Sequence, residues 1–114
     1  LRFSTSAAPG VTTITRKHDV KTNNGKNSIK RNYTLTVANA VTLPYLELNY
    51  DSTEINGLNR SRLKMNKFAS SVWTKIGTGA STNNAAPNGW VASSNQAISG
   101  TVVFTASDSS NSID

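Results

Sequence analysis

At 114 residues the chain is long enough for one hydrophobic core and too short for two. Twelve Lys and Arg against six Asp and Glu give a net charge of +6, and the absence of cysteine excludes a disulfide framework and any thiolate metal site. Ser, Thr and Asn make up well over a third of the residues, a bias that suits strands and turns because these side chains compete with helical hydrogen bonds.

Residues 1–6 (LRFSTS) alternate, with Leu1, Phe3 and Thr5 on one side, and Pro9 and Gly10 then break the pattern. Residues 11–20 (VTTITRKHDV) are rich in β-branched side chains and predict a second strand. Asn24-Gly25 is the strongest short hairpin signal in the chain and predicts that this strand pairs with residues 29–38, where Tyr33, Leu35 and Val37 face one way. Residues 45–50 (YLELNY) predict a further strand with Leu46, Leu48 and Tyr50 on one face. Residues 51–60 have room for one short helical turn, ending at Asn56-Gly57. Residues 63–68 and 71–76 predict two strands around a tight Ala69-Ser70 connection, and 77–88 predict a loop. Residues 89–94 and 101–106 complete about eight short strands.

This spacing predicts an all-β chain folded as a single antiparallel β-sandwich, Ig-like or jelly-roll-like. Its organisation is expected to be an N-terminal strand and hinge over 1–10, a sandwich over 11–108 and a polar tail over 109–114. The longest apolar run is a few residues, too short for a membrane-spanning helix. A start at Leu1 without a charged and apolar leader reads as the mature product of a processed precursor, or as a fragment.

Catalytic and metal patterns are not found. His18 is the sole histidine, and its neighbour Asp19 would point to the opposite face of a strand, so His18 is expected on the surface. Glu47, Asp51 and Glu54 lack the spacing of a calcium loop and are expected to cap the turn and pair with Arg60 or Arg62. No catalytic residue, metal ligand or cofactor is assigned. With few large apolar side chains available, Trp73 is expected in the core, and Trp90, after Pro87-Asn88-Gly89, at the surface. Asn32-Tyr33-Thr34 and Asn59-Arg60-Ser61 match the N-glycosylation tripeptide, which makes Asn32 and Asn59 candidate acceptors.

The segments YLELNYDSTEINGLNRSRLKM, SSVWTKIG and GTVVFTASD, with the earlier TITRKH, resemble β-sandwich modules of large secreted surface proteins of Bacteroidetes. Leu46, Leu48, Tyr50, Glu54, Asn56, Gly57, Leu63, Lys64, Trp73, Gly77, Phe104 and Thr105 carry the resemblance, over most of residues 11–108. Met65 stands where an aliphatic residue is usual, a single Gly77 replaces a glycine pair, and the loop at 79–89 is extended. The resemblance implies an exported, adhesin-like role at the bacterial surface without catalysis, and an O-glycosylation signal, Asp51-Ser52-Thr53, with Ser52 as acceptor.

Two functions are expected from these features. One is a glycosylated structural subunit that forms a homopolymeric fibre by inserting its N-terminal strand (Leu1, Phe3, Thr5) into a neighbour, the alternative being that this strand belongs to its own sandwich. The other is a binding module for carbohydrate, including acidic polysaccharide, or for nucleic acid, using Trp90 and the basic residues, or a small viral coat protein. Of these ligands nucleic acid is the less expected, and no membrane span is expected.

Overall fold

Two long antiparallel strands organise the fold. The computed structural model describes residues 1–80 and 87–114. Its strands are β1 (Arg2–Phe3), β2 (Thr12–Lys17), β3 (Thr22–Asn23), β4 (Lys26–Asn27), β5 (Asn32–Asp51), β6 (Leu63–Ala69), β7 (Val72–Lys75), β8 (Gly79–Ala80) and β9 (Asn88–Asp108), with 3-10 turns at Ser52–Glu54 and Arg60–Arg62. The chain is all-β and sandwich-like, and every strand pair is antiparallel. The central part of the loop expected at 77–88, residues 81–86, lies outside the described residues.

The strands expected over 29–38 and 45–50 are one strand, β5, and those expected over 89–94 and 101–106 are one strand, β9. Each is bent rather than interrupted. Between Val37 and Val41 the β5–β9 register shifts, and the opposing Gly100 takes φ +64°, a bulge that turns the ribbon. Beyond it Val41 pairs with Ile98 and Asp51 with Asn88 in one constant register, broken only at Pro44 and Asn95. Proline has no N–H for the ladder, and Asn95 sits at φ +53°. The buried face changes there: Val41 and Leu43 are buried before Pro44, and Leu46, Leu48 and Tyr50 after it. One ribbon thereby serves two leaves, β2-β5-β9-β6-β7 and β1-β5-β9-β8. Their inner faces form one cluster that includes Leu35, Leu48, Met65, Val91 and Phe104.

Residues 76–78 cross from the first leaf to the second. Ile76 N–H donates to Met65 O (2.8 Å), Thr78 N–H to Ala92 O (2.8 Å), and Ser93 Oγ to Ile76 O (2.5 Å). At Gly77 a Cβ would lie 2.6 Å from Met65 N, so the crossing requires a residue without a side chain.

The Asn24-Gly25 turn forms as expected, with φ +55° and +70°, the signature of a type I′ hairpin turn. Its influence reaches well beyond its own short ladder. Thr22 opposite Asn27, Lys17 opposite Asn32, Thr12 opposite Val37 and Arg2 opposite Glu47 are the pairings that one long hairpin about this turn would give. The β6–β7 turn is of the same kind, at Ser70 (φ +51°) and Ser71 (φ +63°).

Two expectations are corrected. Residues 109–114 are not a free polar tail: Ile113 is fully buried, its carbonyl accepts from Asn23 Nδ2 (2.5 Å), and Ser112 Oγ accepts from Asn66 Nδ2 (3.2 Å). The segment folds back over β9, whose residues Thr105, Ala106, Ser107 and Asp108 are consequently all buried. Trp73 is not in the core. It lies half-buried on β7, the edge strand of the first leaf, with its ring 5.0 Å from that of Phe68.

Tyr50 closes the far end of the core, only 2 % exposed, with the Arg60 guanidinium 5.4 Å above its ring. Burial raises its phenol pKa above 10.0, against the opposing pull of Arg60. The folded chain therefore holds this proton after an unfolded chain has released it, and stability present below pH 10 is lost above it. Urea midpoints measured at pH 8 and pH 11 should fall more for the wild type than for Tyr50→Phe; equal falls would remove Tyr50 as the cause.

Candidate functional site

The sequence singled out residues in three places: the N-terminal edge, the turn after β5, and the outward face of the second leaf. At the edge, Arg2 and Phe3 pair with Glu47 and Leu46, and Leu1 and Phe3 are half-buried against the core. Thr5 is exposed and lies beyond the end of β1. The expected hinge does not leave the sheet. Ser4 N–H donates to Tyr45 O (3.1 Å), Ser6 N–H to Thr42 O (2.9 Å), Asn39 N–H to Pro9 O (2.9 Å) and Ala38 N–H to Val11 O (3.1 Å). Gly10 takes φ +74° where the segment follows the bend of β5. Beside Ser6 an open depression of about 350 Å³ has Val41 and Ile98 among its lining residues.

In the turn, Asp51 caps the 3-10 helix: its Oδ1 accepts from Thr53 N–H (2.9 Å) and Thr53 Oγ1 (2.8 Å), while Glu54 Oε1 accepts from Asp51 N–H (2.7 Å). The two Thr53 hydrogen bonds hold the Asp51 carboxyl below the ordinary carboxylate range. Ser52 is exposed, and its backbone N–H donates to Pro87 O (2.7 Å).

Glu54 does cap the turn, but its cationic partners are not those expected. Its Oε2 lies 2.7 Å from Arg31 Nε and 2.7 Å from His18 Nδ1. Arg31 also donates to Tyr33 Oη (2.9 Å). Arg60 instead packs over Tyr50 and donates to Asn88 O (2.6 Å). His18 is exposed, as expected, though it lies past the end of β2. The cluster pins the 18–31 connection to the turn; Arg31 and Glu54, 23 residues apart, flank the two ends of β5, and the bend in that strand brings them together.

Of the two asparagine acceptors, Asn59 is exposed and caps the second 3-10 turn, its Oδ1 accepting from Ser61 N–H (3.0 Å) and Ser61 Oγ (2.7 Å). Asn32 is corrected. It is fully buried, and its amide nitrogen donates to the backbone and side-chain oxygens of Asp19, leaving no room for a glycan on the folded chain.

Trp90 is at the surface, as expected, 38 % exposed on β9 and opposite Asn49. On the same outward face Tyr45 Oη donates to Glu47 Oε1 (2.5 Å) and Asn49 Nδ2 to Glu47 Oε2 (3.1 Å). Sequence reasoning had the alternation that places Tyr45, Glu47 and Asn49 on one face, but not the register that sets Trp90 beside them.

Among the described residues no group of three or more His, Cys, Asp or Glu is placed to hold a metal ion, and no helix is long and apolar enough to cross a membrane. No protein-family model matches the chain, and no curated protein or solved structure matches it.

Proposed function

We propose that this chain is a non-catalytic structural module of an extracellular fibre, joined to its neighbours by exchange of the N-terminal strand. The observation that carries the reading is the attachment of that strand. It lies on an outer edge, holds two ladder pairs, and anchors through Leu1 and Phe3, both half-buried. The same segment of a second copy can make the same hydrogen bonds and fill the same sites, so exchange alters topology with little change in contacts. Gly10, already at positive φ, is the point about which it would swing. Head-to-tail exchange that does not close on itself builds a filament.

The resemblance to Bacteroidetes surface modules supports an extracellular location and a glycan-bearing chain. Ser52 and Asn59 are the acceptors whose exposure suits that role. Electron microscopy and intact mass of native material test the reading together. Filaments carrying added hexose mass are expected, and deletion of residues 1–10 should leave monomers. Filaments from the truncated chain, or a wild type that stays monomeric at all concentrations, would sink it.

A further inference from the structure

We propose that the outward face of the second leaf is a binding platform for a neutral polysaccharide, centred on Trp90, Tyr45, Glu47 and Asn49. The platform goes beyond the fibre reading and does not depend on it.

The argument starts from register. Tyr45, Glu47 and Asn49 alternate with the buried Leu46 and Leu48, so all three face outward, spanning about 13 Å of strand. Asn49 is directly opposite Trp90, which puts their Cβ atoms about 5 Å apart. Arg2 is opposite Glu47 on the other side and closes the row.

Two large aromatic side chains, 40 % and 38 % exposed, therefore stand at opposite corners of a short polar row. An isolated exposed aromatic residue needs no explanation; two flanking an ordered carboxylate and amide do. Their ring faces suit the C–H face of a pyranose, while a carboxylate and an amide suit its hydroxyls.

The polar groups are pre-arranged. Glu47 takes one hydrogen bond on each oxygen, from Tyr45 and from Asn49. A carboxylate has about four acceptor positions, so each oxygen keeps capacity for a sugar hydroxyl. The geometry of both acceptors is already fixed, which lowers the ordering cost of binding.

Charge favours a neutral glycan over an acidic one. Despite the chain's net charge of +6, the centre of this row is a carboxylate, Glu47, with Arg2 opposite it. A polyanion would meet Glu47 at the centre of the row, whereas a neutral chain meets only donors, acceptors and rings.

Affinity electrophoresis through gels containing hydroxyethylcellulose, glucomannan or laminarin, with polygalacturonate as the charged comparison, tests the proposal. Retardation by at least one neutral polymer is expected, unchanged between low and high salt. Trp90→Ala should weaken it at least tenfold and Glu47→Gln severalfold, while both variants keep the wild-type thermal midpoint to within a few degrees. In Trp73→Phe, where Trp90 is the remaining indole, the retarding polymer should shift the fluorescence. No retardation by any neutral polymer, retardation indifferent to Trp90, or binding to polygalacturonate alone that salt abolishes would each overturn the proposal.

Discussion

Glu54→Ala is expected to cost roughly 3–5 kcal/mol, the range for breaking a buried ion pair by removing one partner. In a domain whose total stability is about 5–15 kcal/mol this is a large share. Glu54 is 5 % exposed, and Arg31 beside it is largely buried. Removing the carboxylate leaves a shielded guanidinium with Tyr33 Oη and a long contact to Asn49 O at 3.5 Å. It also strips the Asp51 N–H of its acceptor at the head of the turn. His18 adds little to the loss, because its side chain is 56 % exposed and water screens it. Glu54→Gln keeps an acceptor for Asp51 N–H but loses the charge and the second acceptor oxygen, which faces Arg31, so it should recover only part of the difference. Urea denaturation of the three proteins measures this. A loss below about 1 kcal/mol in Glu54→Ala would mean that Arg31 finds water, and that the cluster does not hold the 18–31 connection in place.

The cluster also shows where sequence reasoning reaches and where it stops. Capping by Asp51 and Glu54 is a matter of three or four residues, and the chemistry of the turn made it legible. The nearby Arg60 and Arg62 are the partners expected for Glu54; the actual partner, Arg31, lies before the other end of β5 and arrives because that strand bends back on itself. Local signals also exposed the Asn24-Gly25 turn and the alternation within β5, while the second hairpin turn, expected at Ala69-Ser70, lies one residue later at Ser70-Ser71. They did not show that residues 38–44 stay in the sheet, since Pro44 and the small residues around it read as a break between strands. Bending keeps them paired: the bulge and the irregularity at Pro44 and Asn95 give a strand two orientations without ending it.

The same long-range pairing explains the remaining misreadings. Asn32 matched a modification motif, yet its place opposite Lys17 puts its amide against Asp19, where it is enclosed. Residues 109–114 are polar except for Ile113, and one apolar side chain with a waiting site under the Asn23 turn is enough to fold them back. The N-terminal segment looked separable because Pro9 and Gly10 punctuate it. In the folded chain it continues the register that Asn24-Gly25 sets more than twenty residues away. That does not oppose exchange. A second copy's segment can make the same Arg2–Glu47 and Phe3–Leu46 pairs and fill the same sites with Leu1 and Phe3.

Phe104 and Trp73 then make the sharpest contrast, because their ranking by size and by structure is opposite. Trp73 is the larger ring, but it lies half-buried on an edge strand, in contact with Phe68. Phe104 is fully buried, paired with Tyr33 on one side and Lys67 on the other, in the cluster where the two leaves meet. Truncating it forfeits both its transfer from water and the contacts around the cavity left behind, because β5 and β6 are held in place by their ladders. Phe104→Ala is expected to destabilise by about 3–5 kcal/mol. Trp73→Ala should cost about 1 kcal/mol, the loss of one aromatic contact and part of its buried area. Denaturant midpoints at an unchanged slope give both numbers. If Trp73→Ala proved the more damaging, the two-leaf core described here would be misplaced, and residues 72–75 would have to pack inward rather than at the edge.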